Sequence, residues 1–146
     1  MPHDLLNIFQ FWYGNQVNVV KWGNALSSPY ILECGVRQGG LSSPKLFNLY
    51  INALIEELSG THAGCFIDGI SVNNISYADD MALLAPSVGA LNKLLSICER
   101  YAVSHGLVYN LKKTVYMVFK APGRKAPDTT IPVLLNGNPI SRVSHF

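Results

Sequence analysis

Residues 74–85 read Asn-Ile-Ser-Tyr-Ala-Asp-Asp-Met-Ala-Leu-Leu-Ala, with Asp79 and Asp80 between two apolar runs. Asn74–Tyr77 and Ala82–Ala85 have β character, and a chain passing from one to the other through two acids predicts a hairpin with the acids in its turn. In a regular strand, adjacent side chains point to opposite faces, so neighbouring aspartates cannot share a cation. At a hairpin tip that restriction relaxes. Two carboxylates there can approach a hard divalent ion such as Mg2+, which is commonly held by one or two carboxylates together with substrate phosphates. Taken alone, the pair also reads as a solvated acidic turn, because aspartate is a favoured turn residue.

The segments on either side extend the pattern. Upstream, the polar loop Gly35-Val36-Arg37-Gln38-Gly39-Gly40 leads to Ser43, a capping residue, and Pro44, suited to the first helical position. Leu46, Phe47, Tyr50, Ile51, Leu54, Ile55 and Leu58 then form one broad apolar face, which predicts a helix closing at Ser59-Gly60 and packed under the sheet that carries the acids. Residues 65–72 read as strand. Pro86-Ser87 opens a further helix with Leu91, Leu94, Leu95, Cys98, Tyr101 and Ala102 on one face and Gly106 as its stop. Residues 114–119 predict a strand buried on both sides, 120–130 a surface loop, and Asn136-Gly137 a hairpin turn between 133–135 and 139–143. At the start, Leu5, Ile8, Phe9 and Trp12 have helical spacing, ended by Gly14 and Asn15. Strands over 17–22 and 30–33 follow, joined by a turn-rich 23–29. The fold class is α+β: an antiparallel sheet with packed helices.

At 146 residues the chain is one domain's worth, and 49% hydrophobic with 14% charged is poorer in charge than the usual ~25%. That excludes a disordered tail, a collagen-like repeat and a charged coiled coil. It also suggests surfaces that another domain should cover, so the chain reads as a piece of something larger. No apolar run approaches the ~20 residues of a membrane span. Residues 1–80 carry 3 basic and 7 acidic side chains, while 81–146 carry 8 basic and 2 acidic. An acidic front and a basic back suit a cation-gathering site beside a surface that meets polyanions. Cys34, Cys65 and Cys98 form no CxxC pair, so neither a disulfide framework nor a zinc knuckle is indicated. The N-terminus has no signal-peptide pattern, and the expectation is an intracellular protein. His3, His62, His105 and His145 are scattered, with His105 placed to favour a helix dipole. Trp12, Tyr13 and Trp22 are expected to pack in a core or interface, with base stacking the other use open to them.

The Tyr77-Ala78-Asp79-Asp80 hairpin resembles the catalytic hairpin of the reverse transcriptase palm. Gly35-Val36-Arg37-Gln38-Gly39-Gly40-Leu41-Ser42-Ser43-Pro44-Lys45-Leu46-Phe47 is similar to the loop and helix that precede it in that family. Gly106-Leu107 with Asn110, Lys113, Thr114 and Met117 resembles the next family motif, and Leu134–Phe146 resembles the lead-in to the primer grip. These motifs occur in the family's order across nearly the whole chain. The wording is most similar to reverse transcriptases of non-LTR (LINE-type) retrotransposons.

The resemblance implies an RNA-directed DNA polymerase that extends a DNA primer on an RNA template with deoxynucleoside triphosphates and Mg2+, or Mn2+ in its place. It makes Asp79 a ligand of both catalytic metals and Asp80 an accessory ligand. Tyr77 would lie against the primer terminus, and Gln38, Gly39 and Arg37 near the incoming nucleotide and template. Lys113 would approach the triphosphate, where a cation offsets charge building on the leaving pyrophosphate. Without the motif, Lys113 reads as an exposed lysine beside Lys112. There are two departures. The family's other essential aspartate has no matching motif here, since Asp4 leads into a helical segment. Ser42 stands where the family usually has an apolar residue. Fingers and thumb are missing as well, so residues 1–146 read as a palm core truncated at both ends and inactive alone. A non-enzymatic retroelement remnant is the alternative; a palm of an RNA-dependent RNA polymerase is disfavoured by the Arg-Gln-Gly loop and the Asn-x-x-Lys-Thr motif.

Overall fold

The computed structural model of the chain describes residues 2–33, 35–36, 39–120, 122–123 and 130–145. The chain divides into two compact units, 1–43 and 44–146. The first contains helix α1 (His3–Gly14) and four short strands, β1 (Val17–Asn18), β2 (Lys21–Trp22), β3 (Ala25–Leu26) and β4 (Tyr30–Ile31). Asn15 ends α1 by turning both its backbone N–H and its side-chain amide onto the Phe11 carbonyl, at 3.2 and 2.7 Å. The segment expected to be all turn contains a strand: β2 and β3 pair across Gly23-Asn24, nested inside the β1–β4 pairing. Gly23 takes φ +59°, which a β-carbon disfavours. No residue of α1 is buried, and Trp22 is 85% exposed, so core packing of these aromatics does not occur. Trp12 instead stacks against Phe9, with ring centroids 6.4 Å apart.

Helix α2 (Ser43–Ser59) starts one residue earlier than the capping reading, with Ser43 as its first residue. In the second unit follow β5 (Cys65–Ile67), β6 (Ile70–Val72), β7 (Asn74–Tyr77), β8 (Asp80–Leu83), α3 (Val88–Ser104), β9 (Val115–Met117), β10 (Leu134–Leu135), β11 (Asn138–Pro139) and β12 (Ser141–Val143). The mixed α+β class holds, but the one antiparallel sheet does not. Among the described residues the strands form six two-stranded pairs, and β9 with β12 is a parallel pair. Nor is β9 buried on both sides, since Val115 and Tyr116 are half-buried and Met117 is exposed. The loop reading of 120–130 falls largely outside the described residues.

Helix α3 holds this unit together because it buries two faces. Leu94, Ile97, Cys98 and Tyr101 meet Leu54 and Leu58 of α2 and Ala63, with Met81 and Leu83 of β8 packed against them. Val88 and Leu95 meet Val133, Leu135 and Ile140. The expectation that α2 lies under the acid-bearing hairpin is thus met at Leu54 and Leu58, both wholly buried. Such burial stabilises by about 25 cal/mol per Å² of apolar surface. The ends of α3 follow its sequence signals. The Ser87 hydroxyl accepts the Ala90 N–H at 3.2 Å. At the other end Gly106, at φ +63°, lets the Leu107 N–H reach back to the Ala102 carbonyl at 2.9 Å, closing a Schellman turn. His105 caps this helix end and stacks on Tyr101, with centroids 3.7 Å apart.

One polar side chain sits deep in the core. Asn73 is 2% exposed, and its amide donates to the Leu58 carbonyl at the end of α2 and to the Ala63 carbonyl at 3.0 Å. Its side-chain oxygen accepts from the Asn74 amide at 2.9 Å, and its backbone carbonyl accepts the Leu84 N–H at 2.9 Å. Gly64 leaves the room for this: a β-carbon there would lie 2.3 Å from the Asn73 β-carbon. Asn73 therefore ties the root of the β7–β8 hairpin to the end of α2.

Candidate active site

The β7–β8 hairpin pairs Asn74 with Leu83, Ile75 with Ala82, Ser76 with Met81 and Tyr77 with Asp80. Only Ala78 and Asp79 are left for the turn. Strand alternation then sorts the side chains into two faces. Asn74, Ser76, Met81 and Leu83 face inward, where Met81 and Leu83 pack on the α2–α3 core. Ile75, Tyr77, Asp80 and Ala82 share the outward face, and all four are exposed. Tyr77, at 86% exposure, thus stands directly across from Asp80 on the open side of the sheet. Asp79 belongs to the turn, so the rule that separates strand neighbours does not apply to it. The hairpin brings Tyr77, Asp79 and Asp80 together at one exposed tip.

The turn is strained. Ala78 has φ +51°, the left-handed region that costs a residue with a β-carbon about 1–2 kcal/mol. The other tight turns of this unit, at Asp68-Gly69 and Asn136-Gly137, place residue types at positive φ that tolerate it better. Replacing Ala78 by Gly removes the strain at an entropic cost of about 0.4–1 kcal/mol in the unfolded chain. Ala78→Gly is expected to raise stability by roughly 0.5–1 kcal/mol in urea denaturation; a loss of stability would show that Ala78 is unstrained.

The other sequence-derived residues belong to other segments of the chain. Lys113 is exposed and sits on a separate turn over 110–114, between α3 and β9. Gly39 belongs to the first unit and takes φ +78°. Arg37 and Gln38 lie outside the described residues. Ser42 is half-buried, so the full penalty for burying its hydroxyl does not arise.

Among the described residues no group of three or more His, Cys, Asp or Glu side chains could together hold a metal. The acidic donors at the tip are therefore two hard carboxylates, a set that fits Mg2+ or Mn2+ completed by water and phosphate oxygens. Beneath the hairpin, Cys98 is a packing residue: burial pushes its thiol up to about 11, and Tyr109, whose hydroxyl lies 3.4 Å from the Cys98 carbonyl, is raised by the same cause. Sequence reading missed Asn73. Its only signal was a polar Asn-Asn pair between Val72 and Ile75, in a stretch otherwise patterned for burial.

Comparison with known proteins bears on the whole chain. The family profile of reverse transcriptase (RNA-dependent DNA polymerase) matches residues 2–134. The chain is 26% identical to the RNA-directed DNA polymerase from mobile element jockey of Drosophila funebris, over 95% of this chain and 15% of that protein. It is 27% identical to the retrovirus-related Pol polyprotein from type-1 retrotransposable element R2 of Popillia japonica, over 88% of the chain and 22% of that protein. The equivalent R2 polyprotein of Nasonia vitripennis is 26% identical, over 99% and 14%. The chain thus spans less than a quarter of the length of each of these curated relatives. The profile match runs through the hairpin, the helix beneath it and the lysine turn, and by it the chain belongs to the reverse transcriptase family, with distant relatives among the non-LTR retrotransposons.

Proposed function

We propose that this chain is the palm core of an RNA-directed DNA polymerase, carrying out template-directed nucleotidyl transfer once joined to the rest of its enzyme. The observation that carries the reading is the two-residue turn, which presents Asp79 and Asp80 at an exposed tip with Tyr77 across from Asp80. Asp79 and Asp80 would hold Mg2+, or Mn2+, through hard oxygen donors. A pair of such ions, when bound, stabilises the attacking and leaving oxygens of an in-line displacement at phosphorus. The protein's own part is positioning and charge. Tyr77 offers an aromatic face to the primer terminus on the open side of the hairpin. Lys113 supplies positive charge to the triphosphate, and Arg37, Gln38 and Gly39 serve the incoming nucleotide and template base.

The partners are an RNA template, a DNA primer, deoxynucleoside triphosphates, and fingers and thumb domains of a parent polyprotein. No helix among the described residues is long and apolar enough to cross a membrane. In a longer polypeptide carrying this chain, a DNA primer on an RNA template is expected to be extended with Mg2+; failure of that extension would overturn the reading.

The 146-residue chain by itself is expected to add no nucleotide in Mg2+ or Mn2+, because two carboxylates bind these ions weakly and mostly through water. Its basic half, with Lys112, Lys113 and Lys120 among its cations, should still bind RNA or DNA without sequence preference and lose that binding as salt rises. Extension by the chain alone that vanished with Asp79→Ala would show that another carboxylate completes the site.

A further inference from the structure

We infer that Asn110 is a positioning residue, whose side-chain oxygen folds residues 110–114 into a turn that presents Lys112 and Lys113 as one cationic pair to a polyphosphate. The polyphosphate ligand rests on the role proposed above for Lys113; the positioning rests on hydrogen bonds within this chain. Asn110 Oδ1 accepts the N–H of Lys112 at 3.1 Å and that of Lys113 at 3.3 Å. Its backbone carbonyl accepts the N–H of Lys113 at 3.1 Å, the N–H of Thr114 at 3.0 Å and the Thr114 hydroxyl at 2.9 Å. Both oxygens of one residue therefore organise three of the next four positions, Lys112, Lys113 and Thr114. An alanine there could supply only the backbone half.

The segment is pinned at either end. Leu107 packs against the α2–α3 core, and Tyr109 packs against both clusters on α3. After Thr114 the chain enters β9, held by its pairing with β12. Between these anchors the direction of the two lysines depends on the turn. Lys112 and Lys113 are both exposed, and among the described residues neither is paired with a carboxylate; the ion pair recorded there joins Arg100 to Glu57. Two lysines on consecutive positions of an ordered turn concentrate positive charge at one exposed place, which favours an anion with several charged oxygens. A triphosphate tail has that chemistry.

The test uses the whole chain and tripolyphosphate as the probe, followed at the Lys112 and Lys113 amides by NMR. Amide exchange in Asn110→Ala is expected to quicken about tenfold at those two positions, with α3 amides unchanged. Asn110→Asp, which keeps an accepting oxygen, should retain the slow exchange. Tripolyphosphate should shift the same amides in the wild type and bind about five- to tenfold more weakly to Asn110→Ala. In a Lys113→Ala background, adding Asn110→Ala should weaken binding little further. Unchanged exchange in Asn110→Ala, or fully additive losses in the double variant, would overturn the positioning role. Slow exchange without any tripolyphosphate response in the wild type would overturn the cationic-pair assignment and leave the polymerase reading to the primer-extension test.

Discussion

Asp79→Asn, placed in a polymerase that carries this chain, is expected to lower single-nucleotide addition by at least about 10³-fold. The reasoning is electrostatic. As a proposed metal ligand the Asp79 carboxylate would supply several kcal/mol of transition-state stabilisation, and each 1.36 kcal/mol is tenfold in rate. The amide keeps the shape but loses the charge. Because the turn residue is exposed and lies beside the like-charged Asp80, folding stability should stay within about 0.5 kcal/mol. Asp80→Asn, at the proposed accessory ligand, should cost less. The check is rate and melting temperature on the same preparations: a variant that still extends primers within tenfold of wild type would remove Asp79 from the metal site.

Asn73→Ala should have the largest effect on stability, about 3 kcal/mol, seen as a drop of roughly 10 °C in melting temperature. The substitution removes both donors to the Leu58 and Ala63 carbonyls and leaves a void at a site only 2% exposed. Gly64→Ala attacks the same junction from the other side, since its new β-carbon would meet the Asn73 side chain and the residue has φ +138°. Because this junction roots the hairpin, loosening it should also let the β7 and β8 amides exchange faster than those of α3. A shift below 2 °C in Asn73→Ala would show that its hydrogen bonds are replaced by water at no cost.

Much of this architecture was legible because its signals are local. Ser87 and Gly106 bound α3 through hydrogen bonds made within one turn of the helix, and Asn136-Gly137 marks a hairpin two residues wide; the acid pair marked the other hairpin, but only Asp79 lies in its turn, which it shares with Ala78, while Asp80 opens β8. What escaped is long-range. The parallel pairing of β9 with β12 joins positions about 25 residues apart, and no local pattern distinguishes it from an antiparallel one. The strand at Ala25–Leu26 has only two residues, too few for a period to show. Asn73 looked like a loop residue because asparagine usually is one; its role depends on two carbonyls brought to it by the end of α2 and the loop that follows. For the site, the tip was readable from Tyr77 to Asp80, while the strain at Ala78 was not, since alanine gives no sign of positive φ.

The buried thiol of Cys98 supplies a stopwatch for the α2–α3 core. Burial pushes the Cys98 thiol up to about 11, so far less of it is present as the reactive thiolate in the folded chain than when the side chain is released to its ordinary value of 9.0. An alkylating reagent would therefore mark Cys98 almost solely during moments when α2 lifts from α3. Cys65, half-exposed at the start of β5, reacts without waiting and calibrates the reagent in the same tube. The ratio of the two labels measures how often the floor beneath the acidic tip opens, and repeating it with nucleic acid bound would reveal whether loading a template quiets that breathing.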